Sequence, residues 1–155
     1  IRLVMSKVAY YSFTLVIPLI FIPLPWWQIV FGYLVMHFLC GLILAMIFQP
    51  AHVSKNTEFV NPSENETVEN TWAVHQMLTT TNFAPDSKLF SWFVGGLNYQ
   101  VEHHLFPTIC HVHYKKVAEI VKKTAEEFNI PYHSFPTFRA ALLNHAGMLK
   151  QLGKA

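Results

Sequence analysis

A short string in the second half of the chain has the residue types and spacing of a metal site. Gln100, His103 and His104 occupy positions i, i+3 and i+4, which share one face if the segment is helical. Neutral imidazole is a good ligand for iron, zinc, copper or nickel. A histidine pair packed at a membrane surface is the alternative, but an adjacent pair one turn after a glutamine favours a metal. Nine histidines against eleven Lys plus Arg point the same way.

The first third of the chain is too apolar for an ordinary soluble domain. Hydrophobic residues make up 52% of the sequence and charged residues only 13%, where soluble domains carry roughly 25% charged residues. Residues 8–54 contain no Asp, Glu, Lys or Arg. Because an apolar run of about 20 residues crosses a bilayer, we predict two spans, at about residues 8–24 and 28–49. Pro25-Trp26-Trp27 is expected to turn between them at the membrane interface, and Pro50 to end the second span.

The charges that flank the two spans predict their orientation. A hairpin of two spans brings both of its ends to one side of the membrane, and Arg2, Lys7 and Lys55 lie at those ends. The positive-inside rule places both ends in the cytoplasm. His37, inside the second span, is expected to make a helix–helix hydrogen bond. A net charge of +2 does not suggest a nucleic-acid binder.

The remaining residues read as a cytoplasmic helical cap. We therefore predict an all-α membrane protein, with a transmembrane hairpin over residues 1–53 and the cap over residues 54–155. Polar residues predict a surface loop at 54–70, and periodicity predicts helices at 71–82, 89–105 with a weak point at Gly95-Gly96, 113–128 and 137–152. In the third helix one apolar face is expected to be buried, formed by Val117, Ile120, Val121, Ala125 and Phe128.

The histidine string resembles the third histidine box of the membrane fatty acid desaturases. More narrowly, Leu97-Asn-Tyr-Gln-Val-Glu-His-His-Leu-Phe-Pro107 is similar to the front-end branch, the delta-5/delta-6-like acyl desaturases, which have Gln at the first position of the box. Those enzymes insert a double bond between an existing one and the carboxyl end. The resemblance extends over roughly the whole chain and includes Trp72…Gln76…Asn82, Tyr114-Lys-Lys-Val-Ala118 and Phe135-Pro-Thr-Phe-Arg-Ala-Ala-Leu-Leu143.

The resemblance implies a chemistry and a set of partners. It implies two iron ions held by histidines, with O₂ as co-substrate and electrons from a cytochrome b5 or a ferredoxin. The product is a cis double bond in an acyl chain carried on CoA or on a lipid. Two further boxes, His-x(3–4)-His and His-x-x-His-His, belong to the family and do not occur in this sequence. With a first residue of Ile rather than Met, the chain is expected to be the C-terminal portion of a desaturase and inactive by itself.

The same resemblance assigns the metal ligands. His103 and His104 are expected to ligate iron, and Gln100 to ligate iron or to hold a water that does. His52, just past the second span, is the candidate for an additional ligand that the family has near this point. The alternative for His52 is a histidine that caps the helix C-terminus and is held there by the helix dipole.

Other residues are candidates for supporting roles. His75, Gln76 and Glu102 could orient the ligands, Glu102 by accepting a hydrogen bond from a ligand histidine. Thr80, Phe90 and Trp92 could line the acyl tunnel, although core packing or membrane contact would equally account for the aromatic residues. His133 and His145 are expected to face solvent.

Two other functions remain open from the sequence. A related membrane hydroxylase or ketolase would share the histidine-rich two-iron site, but Gln100 and the match after Pro107 speak against it. A non-catalytic membrane protein could hold a structural metal with the same histidines. Such a protein would bind metal and consume no O₂.

Overall fold

The computed structural model describes residues 1–58 and 71–154. Most of the loop predicted at residues 54–70 therefore lies outside the described residues. The chain divides into two compact units, Ile1–Leu44 and Ala45–Ala155.

The first unit is built from two long apolar helical segments. Helix α1 (Arg2–Tyr11) continues through a π-helical turn, Ser12–Val16, into α2 (Ile17–Phe21). The helix departs from regular α geometry just before Pro18, because this proline has no N–H to donate to the preceding turn. Helix α3 (Trp26–His52) begins in this unit and ends in the second.

Both segments are long and apolar enough to cross a membrane. Arg2–Phe21 has 20 residues with mean hydropathy 1.6, and Trp26–His52 has 27 residues with mean hydropathy 2.3. As predicted, His37 makes a hydrogen bond between helices: its Nε2 accepts from the hydroxyl of Tyr10 on α1 (2.7 Å). Its Nδ1 donates to the carbonyl of Tyr33 on its own helix (2.9 Å).

The boundaries of these helices differ from the prediction in two places. Trp26 and Trp27 begin α3 instead of forming the turn, which uses residues 22–25. Pro50 lies inside α3 and does not end it. A proline removes only its own N–H from the helical ladder, and the N–H of Val53 still bonds to the carbonyl of Gln49 at 2.8 Å. The helix therefore continues through the proline as far as His52.

The second unit is mostly helical, as predicted, but it also contains a short parallel strand pair. Its elements after α3 are α4 (Trp72–Thr79), β1 (Asn82–Phe83), α5 (Lys88–Phe93), α6 (Gln100–Leu105), α7 (Tyr114–Glu127), β2 (Ser134–Phe135) and α8 (Phe138–Leu152). In the strand pair, Asn82 lies opposite Ser134 and Phe83 opposite Phe135. Two-residue strands are too short to show an alternating pattern, so the sequence did not predict them.

The single helix predicted over residues 89–105 is wrong: the chain leaves the helix around the double glycine, where a weak point was predicted, and forms two helices, α5 and α6. Gly95 and Gly96 have φ values of +61° and +77°, a region that side-chain-bearing residues rarely adopt. Gly96 also packs closely on the following segment, where a Cβ would come within 2.8 Å of the Cβ of His111. Only glycine satisfies both conditions at position 96.

Helix α7 buries a face slightly rotated from the predicted one. Tyr114, Ala118, Val121 and Ala125 are buried, at spacings of four, three and four. Ile120 and Phe128, predicted to be buried, are 67% and 69% exposed. The small side chain of Ala118 allows close packing, which turns the helix so that Ile120 lies toward the outside.

Candidate metal centre

Three histidines from two distant parts of the chain come together in the second unit. His52 is the last residue of α3, while His103 and His104 lie in the last turn of α6. The ring centroids of His52 and His104 are 5.0 Å apart, and those of His103 and His104 are 5.8 Å apart. The structure thus brings the two box histidines together with the additional candidate.

Burial along α6 explains how the helix presents its histidines. Gln100, Val101 and Glu102 are buried, and the next residues, His103 and His104, are half-buried. The first turn therefore anchors the helix in the core, and the last turn brings the two imidazoles to its boundary with solvent.

Two of the three imidazoles have a partner at Nδ1. Nδ1 of His104 donates to Oε1 of Gln76 on α4 (2.9 Å). Nδ1 of His103 lies 3.2 Å from the hydroxyl of Tyr114 on α7. Ligand histidines in metalloproteins use one nitrogen for such a bond and the other for the metal. The ring of His52 packs edge to face against that of His104.

The environment of His104 favours its neutral form. Burial lowers the pKa of His104 below the ordinary histidine value, and the nearby rings of His52 and His103 lower it further. A neutral imidazole has a free lone pair, which is what metal coordination requires. The donor chemistry therefore fits a cation such as iron.

Two further side chains from the prediction have buried atoms without partners. Gln100 is 1% exposed, and its Nε2 has no hydrogen-bond partner among the described residues. Within the same described part of the chain, Nδ1 of His75 on α4 is likewise buried and unpartnered. Buried polar atoms are nearly always paired, so both positions have capacity for a ligand, an ion or an ordered water.

Glu102 has a different set of partners from the predicted one. Its Oε2 accepts from Nδ2 of Asn82 (2.7 Å), and its Oε1 accepts from the hydroxyl of Tyr132 (2.8 Å). The side chain is fully buried, and burial raises its pKa while these two donors lower it. Among the hydrogen bonds of residues 1–58 and 71–154, no histidine donates to Glu102, whose partners are Asn82 and Tyr132.

Asn82 ties this carboxylate to the backbone of α6. Its Oδ1 accepts from the N–H of Val101 (2.9 Å), and its Nδ2 donates also to the hydroxyl of Tyr132 (2.8 Å). Asn82 is 1% exposed and lies on β1. The strand pair and the segment before β2 thus hold the helix that carries the two histidines.

The three residues proposed to line an acyl tunnel do not share one surface. Phe90 packs into the core, with its ring centroid 6.0 Å from that of Phe83 and 4.8 Å from that of Phe138. Trp92, on the same helix, is 78% exposed. Thr80 is fully buried, and its hydroxyl has no partner within the described residues. Core packing accounts for Phe90, the alternative that the sequence left open, and the lining roles stay a prediction.

The expectation that His145 faces solvent is wrong. His145 on α8 is 8% exposed, its Nδ1 donates to the carbonyl of Val53 (2.7 Å), and its Nε2 lies 3.2 Å from the side-chain amide of Gln49. His133 is half-buried. The partners of His145 lie more than ninety residues away in sequence, so no local pattern could have revealed its burial.

Sequence reasoning also missed three residues that support the site. Asn82, Tyr114 and Tyr132 contact α6 or its histidines, although they lie 11 to 30 residues from their partners on α6. The only signal for Asn82 and Tyr114 was their place in the matched stretches outside the box. Nothing in the sequence marked Tyr132.

These contacts do not amount to a metal site by themselves. Among residues 1–58 and 71–154, no group of three or more His, Cys, Asp or Glu side chains is arranged to hold a metal ion. What the structure provides is three neighbouring imidazole rings, those of His52, His103 and His104. Further ligands would have to come from elsewhere.

Comparison with known proteins identifies relatives over most of the chain. The profile of the family described as Fatty acid desaturase matches residues 2–136. The sn-1 linoleoyl-lipid 6-desaturase of Synechocystis sp. is 41% identical over 129 residues, which is 83% of this chain and 36% of that protein. The acyl-lipid (8-3)-desaturase of Physcomitrium patens is 46% identical over 121 residues, 78% of this chain and 25% of its own length.

A third relative extends the match to almost every residue. The probable Delta(5) fatty acid desaturase C of Dictyostelium discoideum is 34% identical over 158 residues, 99% of this chain and 34% of that protein. The chain therefore spans 36% or less of the length of these three relatives. No solved structure matches the chain.

Proposed function

Because this chain belongs to the fatty acid desaturase family, we propose that it is the C-terminal portion of a front-end acyl desaturase that introduces a cis double bond into a fatty acyl chain. One structural observation carries the proposal. His52, His103 and His104 lie together, and the two box histidines each have a partner at Nδ1, as metal-ligating histidines do.

Enzymes of this family generally use a di-iron centre and O₂. We assign His52, His103, His104 and Gln100 of this chain to the ligand set, and we expect the other ligands in two upstream histidine boxes. The irons, when bound, supply the oxidising power for removing hydrogen from an unactivated C–H bond, which no side chain can supply. Gln76 and Tyr114 hold His104 and His103 in position for coordination through the remaining nitrogen.

The membrane arrangement follows from the two apolar helices. The family is membrane-bound, and both helices are long enough to cross a bilayer. We propose that residues 1–53 form a two-span hairpin with both ends in the cytoplasm, and that residues 54–155 form a cytoplasmic cap. An electron donor, cytochrome b5 or a ferredoxin, would approach from that side. Two of the relatives are named for lipid-linked acyl groups. Their names favour an acyl-lipid substrate over acyl-CoA.

The first test is to read the coding sequence upstream of Ile1. We expect it to encode two more spans with His-x(3–4)-His and His-x-x-His-His. An adjacent start codon with no such boxes would remove the catalytic assignment.

The second test is a product assay on the complete protein. We expect expression in a host that lacks the product to yield a new polyunsaturated fatty acid, identified by mass spectrometry of methyl esters. His103→Ala should abolish the product, whereas His133→Ala, a half-buried histidine outside the site, should retain it. A hydroxylated product would favour the hydroxylase instead. Bound metal without O₂ consumption would indicate a structural site.

A further inference from the structure

Helix α5 of the second unit has both buried and exposed apolar side chains. Phe90 is directed inward and packs against Phe83 and Phe138. Leu89, Trp92 and Phe93 are 77%, 78% and 69% exposed. These three occupy positions i, i+3 and i+4 and so form one stripe. A contiguous exposed apolar stripe indicates a surface that contacts another apolar environment.

A basic groove runs beside this stripe. It has a volume of about 250 Å³, and its lining includes Lys88, Trp92, His111, Val112 and Lys115. Within the described part of the chain, that lining contains no Asp or Glu. Val112 is 67% exposed and extends the apolar surface across to the segment before α7. We call Leu89, Trp92, Phe93, Val112, Lys88 and Lys115 the interfacial patch.

Two contacts hold the patch in a defined shape. The amide of Asn98 donates to the hydroxyl of Ser91 on α5 at 2.9 Å. Gly96 lies so close to His111 that an added Cβ would come within 2.8 Å of the Cβ of His111. The apolar stripe and the basic side of the groove are therefore fixed relative to each other. The patch is therefore one contiguous, ordered surface, unlike exposed apolar residues that are scattered singly.

We propose that the interfacial patch docks on the bilayer surface, with its apolar side chains at the level of the acyl chains and its lysines on the phosphates of anionic phospholipids. Tryptophan prefers the membrane–water interface because its ring is apolar and its N–H is polar. Lysine extends its ammonium group toward the headgroups while its stem covers apolar surface. The positive, acid-free groove is complementary to phosphate. The proposal relies on membrane residence and is independent of the acyl substrate and of the metal.

The test measures the surroundings of position 92 directly. In the complete protein with Cys40→Ser and Cys110→Ser, a spin label is attached to Trp92→Cys and, in a second variant, to Leu89→Cys. The control label is on Glu126→Cys, at an exposed position on α7. Each protein is placed in nanodiscs of phosphatidylcholine, alone or with an equal part of phosphatidylglycerol. Collision rates are measured with O₂, which concentrates in hydrocarbon, and with a water-soluble nickel chelate.

We expect the ratio of O₂ to nickel collisions to be several-fold higher at positions 89 and 92 than at position 126. A low ratio at positions 89 and 92 would place the patch in water and overturn the proposal. Low collision rates with both reagents would show that another part of the protein or a second copy covers the patch, and would overturn it as well.

A charge variant tests the headgroup contact. Combining Lys88→Gln with Lys115→Gln should lower the ratio at position 92 in the discs that contain phosphatidylglycerol and leave it unchanged in phosphatidylcholine alone. An unchanged ratio in both would refute phosphate binding by the lysines. Because these readouts require no turnover, their failure is distinguishable from failure of the proposed desaturase activity.

Discussion

At the scale of single residues, the site depends on side chains that contact the histidines as well as on the histidines themselves. Gln76 and Tyr114 each hold one box histidine through Nδ1. Neither lies in the box, and each comes from a different helix. Orientation of the imidazoles is therefore a property of three packed helices, α4, α6 and α7.

We expect Gln76→Leu to weaken iron binding in the complete protein, because His104 would lose the acceptor for its Nδ1 proton. Loss of such a partner typically lowers metal affinity by about 10–100-fold. Competition with a chelator, followed by iron analysis, measures the effect. Gln76→Glu keeps an acceptor and should restore most of the affinity. Gln151→Leu, at an exposed position on α8, is the control, and equal iron retention in all variants would refute the role of Gln76.

We expect Tyr132→Phe to destabilise the protein, because it removes one of the two donors to the buried carboxylate of Glu102. An under-satisfied buried polar group costs about 1–3 kcal/mol. Thermal unfolding in detergent measures the change. Tyr11→Phe, which alters an exposed tyrosine, should leave the midpoint unchanged. Identical midpoints for both variants would show that the network of Asn82, Glu102 and Tyr132 does not stabilise the fold.

At the scale of elements, the double glycine between α5 and α6 sets where the box helix begins. The sequence predicted a weak point there, and the structure shows two separate helices joined by residues 94–99, among which Gly95 and Gly96 have positive φ. The turn lets α6 start at Gln100. The first turn of α6 is then buried in the core, and the two histidines of its last turn lie half-buried at the edge of the core.

The two glycines allow backbone strain to be separated from steric fit. Gly95→Ala should cost only the left-handed backbone strain, about 1–2 kcal/mol, because an added Cβ meets nothing within 4 Å. Gly96→Ala should cost more, because its Cβ would also come within 2.8 Å of His111 and 3.3 Å of Tyr114. Chemical denaturation of the two variants compares them. A Gly96→Ala variant as stable as Gly95→Ala would show that this contact relaxes freely.

At the scale of the whole molecule, the proposed metal centre would need ligands from outside this chain. Three histidines and one glutamine are too few ligands for two irons, and the relatives are about three times as long as the matched region. We expect the isolated chain, purified after expression with added iron, to hold no stoichiometric iron by elemental analysis. The complete protein should hold two. Two irons per isolated chain would contradict the assignment of upstream ligands.

The sequence alone predicted the features that depend on neighbouring residues. Two apolar runs indicated two long helices, and the helices now seen as α7 and α8 were located to within about two residues, as is usual for helix ends. These succeed because helical periodicity, proline, glycine and charge act over one or two turns of chain.

Only the tertiary structure decided which distant residues meet. It joined His52 to His104, Gln76 to His104, and Tyr132 to Glu102. It also buried His145 and exposed Ile120, against the prediction from local pattern. The reason is physical: these contacts follow from how helices and the short strand pair pack to bury apolar surface and pair polar groups. That packing is a property of the folded chain, and the spacing of residues along the sequence does not encode it.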